Sequence, residues 1–360
     1  MNIIKLLSQN NMSEISNELI TSFKFATLSN VIFSGIFLEN QLDELNISKA
    51  DYKIEKFNSG YLRIKNISDF ELKENDIIFS RTEDLQSLFY ILKNVNLKNI
   101  KLITHQSDIS IDKSIFNKKS LCISKWFSVN VNIDKKDLIP IPIGISNDHP
   151  KNLTSKDFEK IINTKEIFFK NKSNTELLYV NFQKSTNFNE RDGIYNHFSN
   201  HDWALVQEPS QEKSVYIEKL KSIQFTLTPF GNGVDTHRFW EALYCGSIPV
   251  VKKHLTYTYA NGLPVLFVEN YHEISKEDLL SKASELSRSN INLNKLFFSY
   301  WEDLILSDKL NFETSFLVNN TNFIAKFFET KYLIITISNS YKKIVIYYLK
   351  KLKKLIFYLS

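Results

Sequence analysis

Short apolar runs separated by amphipathic stretches recur along the first 150 residues. Residues 31–38, 76–80, 100–104, 121–124 and 138–145 each have the dense apolar character of buried strands. Between the second and third, Leu85, Leu88, Phe89 and Leu92 recur at helical spacing. Strands alternating with helices predict a parallel α/β sheet, because parallel neighbours need a crossover. Pro140, Pro142 and Pro150 then bracket Gly144, and residues 151–174 are charged and Asn-rich, which puts a domain boundary near residue 150. Beyond it the alternation restarts. Strands are predicted at 176–182, 203–206, 225–228, 248–251 and 264–268, with helices at 189–198, 215–221, 235–244 and from Lys276 onward. Two successive α/β units predict two Rossmann-like halves facing a cleft, 1–150 and 151–330, followed by a distinct tail at 331–360.

The tail changes the picture because charge concentrates there. The chain carries +5 overall, the last 30 residues contribute seven Lys and no acid, and residues 1–330 therefore carry −2. Within 341–359, Val345, Leu349, Leu352, Leu355, Ile356 and Leu359 share one side of a helical wheel, with Lys343, Lys350, Lys351, Lys353 and Lys354 around the rest. Such a helix is expected to lie on an anionic membrane surface, each Lys contributing about 1 kcal/mol. A near-neutral body argues against a nucleic-acid partner. Residues 1–11 hold too short an apolar stretch for a signal peptide, and no window of 18 apolar uncharged residues occurs, so the chain reads as cytoplasmic and peripheral on the inner membrane face. With 8 Gly and 7 Pro in 360 residues, collagen-like and disordered classes are excluded. Two cysteines, Cys122 and Cys245, exclude a disulfide scaffold and a Cys-based zinc site and are expected to be buried thiols.

Four of the eight glycines lie between Gly231 and Gly262. The stretch 225–251, FTLTPFGNGVDTHRFWEALYCGSIPVV, reads as strand, Gly-rich turn, helix, Gly stop and strand. Asp235 or Thr236 can cap the helix, whose first N–H groups would point at the 231–233 turn and favour an anion. His237, Arg238 and Glu241 share a helix face: Arg238 can pair with phosphate and Glu241 can accept from ribose hydroxyls. The spacing is neither a dinucleotide fingerprint nor a P-loop.

This stretch resembles the donor-site signature of exostosin-like glycosyltransferases of the GT-B fold, a group that includes ribitol-phosphate xylosyltransferases. LITHQSD (102–108), KWF (125–127), IPIGIS (141–146) and VNFQKSTNFNER (180–191) resemble the same family. The resemblance implies two Rossmann-like domains in GT-B arrangement, acceptor domain first and nucleotide-sugar domain second. It implies that Gly231, Asn232 and Gly233 approach the diphosphate with Thr236 and His237 at the helix start. Arg238 would neutralise phosphate charge, Glu241 would hold the ribose, and Arg191, preceded by Asn187, would reach the diphosphate from the opposite loop. Phe230 stands where many relatives carry Arg.

An inverting transfer needs a group to take the acceptor proton. Asp108, with His105 second, lies just beyond the 100–104 strand, where ligands meet open α/β sheets. No Asp-x-Asp occurs, so no obligatory metal or other cofactor is expected, and Arg191, Arg238 and the helix N-terminus would stabilise the leaving group. The expected function is transfer of a sugar from a nucleotide-diphosphate donor, a UDP-sugar by expectation, to a bacterial-type surface glycan or lipid-linked glycan. The alternatives are a GDP-fucose-using fucosyltransferase-like enzyme, for which Ala242 stands where a Lys would be needed, and a non-catalytic GT-B module.

Overall fold

A computed structural model describes residues 17–45, 47–58, 60–146, 153–162, 172, 175–209, 212–288, 291–307 and 314–320. The tail at 331–360, the start at 1–11 and the boundary at 147–152 lie outside the described residues.

The first half contributes β1 (Val31–Ile32), an excursion of β2 (Ser34–Leu38), β3 (Tyr52–Lys56) and β4 (Tyr61–Asn66), then β5 (Phe70–Lys73). It continues with β6 (Ile77–Arg81), β7 (Ile100–His105), β8 (Ile123–Ser128) and β9 (Leu138–Pro140). In the order β1-β6-β7-β8-β9 these form an all-parallel sheet, as the alternating pattern predicts. The second half supplies β10 (Leu178–Val180), β11 (Ala204–Val206), β12 (Phe225–Leu227), β13 (Ile248–Lys252) and β14 (Leu266–Val268). These pair in parallel in the order β11-β10-β12-β13-β14. Both sheets are consistent with Rossmann-like halves.

Three predicted elements break where the backbone chemistry demands it. The run 31–38 feeds two sheets, not one, because Phe33 is shared between them. Its N–H donates to the Phe79 carbonyl (2.8 Å), while its own carbonyl accepts from Asn66 (2.8 Å). From there β2, β4 and β3 make an antiparallel sheet that the apolar pattern did not reveal. The predicted strand at 138–145 stops at Pro140: prolines at 140 and 142 lack the donors a ladder needs, and Gly144 sits at φ 69°. The helix predicted at 189–198 is two short helices, Phe188–Arg191 and Ile194–Phe198, parted at Gly193 with φ 81°.

Near its end the chain returns to the first half. β15 (Ser315–Val318) pairs antiparallel with β5. Just before it, the buried Lys101 ammonium donates to the carbonyls of Ile305 (2.6 Å) and Ser307 (2.5 Å), closing the end of the Phe298–Leu306 helix.

Separate apolar clusters lie against each parallel sheet, one around Leu88, Leu102 and Trp126, the other around Val180, Phe198 and Phe225. A third runs between the halves, joining Phe25 and Phe127 to Trp240, Tyr244 and Trp301. The halves therefore share a core. Both cysteines are free and buried, and burial pushes their thiols up. Among the described residues no helix is long and apolar enough to cross a membrane.

Candidate active site

The C-terminal edge of the second sheet is organised by one guanidinium. Arg191 is buried, and its three nitrogens donate to the carbonyls of Phe230 (2.9 Å), Gln183 (2.6 Å) and Pro229 (3.1 Å). Asn187 completes the clamp: its Oδ1 caps the Phe188–Arg191 helix at Glu190, and its Nδ2 donates to the Gly231 carbonyl (2.7 Å). Both residues thus shape the turn that leads from β12 to the His237–Tyr244 helix. Phe230 packs its ring between His254 and Tyr257, with centroids 5.7 and 6.2 Å away.

The turn itself is held by the first half. Asn130, fully buried at φ 55°, accepts at Oδ1 from the N–H groups of Val234 (2.9 Å) and Asp235 (2.8 Å). Thr236 N–H donates to Asp235 Oδ1 (2.9 Å). The N–H groups of three successive residues before the helix are therefore already bonded within the protein, that of Thr236 among them. Thr236 stands at the N-cap position, but its hydroxyl makes no cap and is buried without a partner. Neither Gly231 nor Gly233 needs a positive φ; in this region Gly246 (73°) and Gly262 (89°) do. Gly233 is required for space: an added Cβ would come within 2.7 Å of Asn130 Nδ2 and 3.2 Å of Asp108 Oδ1. Asn232 is exposed between them.

Asp235 joins the halves from the other side. It is buried, and its Oδ2 accepts from Ile143 N–H (2.8 Å), Tyr259 OH (2.8 Å) and Trp240 Nε1 (3.3 Å). Burial outweighs these donors and pushes its carboxyl up to about 6. One residue on, the Gly144 carbonyl accepts from His237 Nδ1 (2.8 Å). That bond makes Nδ1 the donor, on a ring that lines the cleft between the halves.

Arg238 and Glu241 meet through a residue that the sequence pattern did not single out. Tyr216 OH donates to Glu241 Oε2 (2.9 Å) and accepts from Arg238 Nη1 (3.3 Å), whose guanidinium lies over the Tyr216 ring. Arg238 Nη1 also bonds the Asn181 carbonyl at the end of β10. Neither Arg191 nor Arg238 has a carboxylate partner among the described residues. Burial, and then the nearby Arg238 charge, lowers Arg191 to about 10. Two neighbouring guanidiniums make the local potential positive, offset in part by Glu190 near Arg191 and by Glu241 beyond the Tyr216 hydroxyl. Nearby Lys252, by contrast, is neutralised by Glu190 at 2.9 Å.

On the first-half side, His105 ends β7 fully buried and stacked on Phe25 (5.3 Å). Its Nδ1 accepts from Gln106 N–H (2.9 Å) and its Nε2 donates to the Pro142 carbonyl (3.1 Å). Burial lowers its pKa to about 3. With both nitrogens engaged, the His105 ring has no free position for a further proton. Asp108 is exposed and lines a cleft of about 420 Å³ together with His237. The expected site residues thus divide: Asp108, Gly233 and His237 lie where the halves meet, Asn187 and Arg191 hold the turn at Gly231 from the second half, and Arg238 and Glu241 group through Tyr216 on that same side. Asn130, Asn181 and Tyr216 were missed, for each is a single polar residue whose role depends on a distant partner. Among the described residues no group of three or more His, Cys, Asp or Glu side chains could hold a metal ion.

Two parallel α/β halves with polar side chains gathered at the strand ends define an α/β protein of Rossmann-like sheets with a candidate ligand site between them. Residues 161–303 match the family model of the RXYLT1 C-terminal domain. That span is less than half of the chain but holds every donor-side candidate from Asn187 to Glu241. Over it the chain is similar to the exostosin-like ribitol xylosyltransferase group, which makes it glycosyltransferase-like. No curated protein sequence matches the chain.

Proposed function

We propose that the protein is an inverting glycosyltransferase of GT-B arrangement that moves a sugar, a pentose such as xylose by analogy with the matched family, from UDP to a glycan hydroxyl. The observation that carries this reading is the family match across the donor-side residues. The positive charges of Arg191 and Arg238, neither in a direct salt bridge among the described residues, support it, since a diphosphate would supply negative charge beside them. Glu241, with Oε2 engaged by Tyr216, would use Oε1 for a ribose hydroxyl.

In the transfer, the acceptor oxygen attacks the anomeric carbon as the bond to the diphosphate breaks. The hydroxyl proton passes to Asp108, and the charge developing on the leaving diphosphate falls to Arg191 and Arg238. No step calls on a metal. Residues 331–360 would attach the enzyme to the inner membrane face, bringing it to a lipid-linked glycan.

The test is thermal denaturation with UDP, GDP, ADP and CMP, each with and without EDTA. A ligand at 100 times its Kd adds about 2.7 kcal/mol, which is readily measured. Selective, EDTA-insensitive stabilisation by UDP, lost in Arg238→Ala and Glu241→Ala, is the expected result. A preference for GDP would favour the fucosyltransferase-like alternative. No response to any nucleotide would leave a non-catalytic module.

A further inference from the structure

The cleft that holds Asp108 has a wall with no part in the donor site. The antiparallel β2-β4-β3 sheet leaves the parallel sheet at Phe33 and brings Phe57 and Tyr61, at either end of the β3–β4 turn, to the cleft. The wall is firmly built. Gln106, at φ 57°, holds both backbone groups of Ile36 in β2, accepting from its N–H and donating to its carbonyl, each at 2.6 Å. The turn is closed by Phe57 N–H to the Tyr61 carbonyl (2.9 Å), and Arg63 covers the Phe57 ring at 4.6 Å.

Arg81, the last residue of β6 and in register with His105 of β7, and Glu83, two residues on, also line this cleft. Arg81 Nη2 bonds Glu83 Oε1 at 2.6 Å, with side chains only 9% and 23% exposed. The pair is incomplete: Arg81 Nε and Glu83 Oε2 are both buried without a full hydrogen bond, although the Ser107 hydroxyl and the Glu83 backbone N–H approach the carboxyl. Such atoms are costly to leave unpaired and point to a missing partner. One vacant donor and one vacant acceptor match a hydroxyl, which is both. They do not match a phosphate, because the Glu83 carboxylate repels it.

We propose that this wall is the acceptor subsite and takes an uncharged sugar or polyol, with Arg81 and Glu83 engaging a hydroxyl and Phe57 and Tyr61 facing its apolar C–H surface. The inference rests on the glycosyltransferase reading and adds the acceptor's chemistry to it. About 420 Å³ suffices for such a unit. Burial, opposed by the Arg81 charge, raises the Glu83 carboxyl above the usual range, as expected for a group completed by a ligand donor.

The experiment is ligand-observed NMR on the full chain with saturating UDP, using methyl glycosides and alditols as neutral probes and sugar 6-phosphates as anionic ones. Neutral probes are expected to bind the parent and to weaken about tenfold in Glu83→Gln and in Phe57→Ala. The UDP-induced rise in Tm should be unchanged in both, which certifies their fold. Preference for the sugar phosphates, neutral binding that survives both substitutions, or a UDP-responsive chain that binds no probe would each overturn the assignment. Glu83-dependent binding of neutral probes by a chain indifferent to UDP would uphold the subsite and remove the donor reading alone.

Discussion

Asp235→Asn tests whether the joint between the halves works as described. The carboxylate is 3% exposed and accepts four hydrogen bonds, yet burial still raises its pKa from 3.8 to about 6. That difference corresponds to about 3 kcal/mol. The sign follows from proton counts: between pH 4 and 6 the folded chain holds this proton and the unfolded chain has released it. Stability therefore falls as pH rises through that window and levels off above it, with about 2 kcal/mol of the loss above pH 4.5. Asparagine does not titrate, so the variant lacks this loss. Its one oxygen must serve donors that two oxygens shared, and the amide NH₂ faces either Thr236 N–H or the Ile143 group, costing about 1–3 kcal/mol at every pH. The variant should thus be clearly weaker at pH 4.5 and recover about 2 kcal/mol relative to the parent by pH 7.5. Urea unfolding followed by tryptophan fluorescence at four pH values measures this. A parent–variant gap constant to within about 0.5 kcal/mol across that range would refute the assignment of a buried, strained carboxylate.

His105 should act in the opposite sense. Its pKa is lowered to about 3 by burial, so the unfolded chain binds the proton first, and stability falls by about 1.5 kcal/mol between pH 6.5 and 5, a loss absent in His105→Gln. Gly233→Ala should cost about 1–3 kcal/mol in thermal or urea unfolding, because its Cβ meets Asn130 and Asp108, while Gly231→Ala, whose nearest contacts begin at 3.5 Å, should cost far less. Equal losses would contradict the close approach of the halves. Tyr216→Phe removes the hydroxyl joining Glu241 to Arg238 and should weaken UDP binding by about tenfold in calorimetry, leaving the fold intact.

The parallel sheets were legible because their strands are nearly continuous apolar runs, the central ones β6, β7, β10 and β12 buried throughout. The antiparallel excursion was not. β3 and β4 mix charged and apolar residues around a small exposed turn, and β5 gains a partner, β15, only from the far end of the chain. The donor-side helix was read correctly in position, but not in what its neighbours do. Spacing put Arg238 and Glu241 on one face, whereas only the folded chain brings Tyr216 between them. Asn130 was invisible for the same reason: an isolated Asn acquires meaning from two N–H groups about a hundred residues away.

These misses share a cause that bears on how the site works. The 231–236 turn looked like a self-contained anion cradle, yet its N–H groups at 234 and 235 are held by Asn130, and the carboxylate that follows is held by Ile143. With the His237 bond to Gly144, four hydrogen bonds cross between the halves within a few residues of the turn. At a net 0.5–1.5 kcal/mol each they contribute about 2–6 kcal/mol, on top of the shared apolar core. The turn's shape is therefore a property of both halves together. A ligand that favours one spacing of the halves must alter the turn, and a ligand at the turn must bias that spacing by the same free energy. The two sides of the cleft are coupled through Asn130 and Asp235, residues that need touch no ligand.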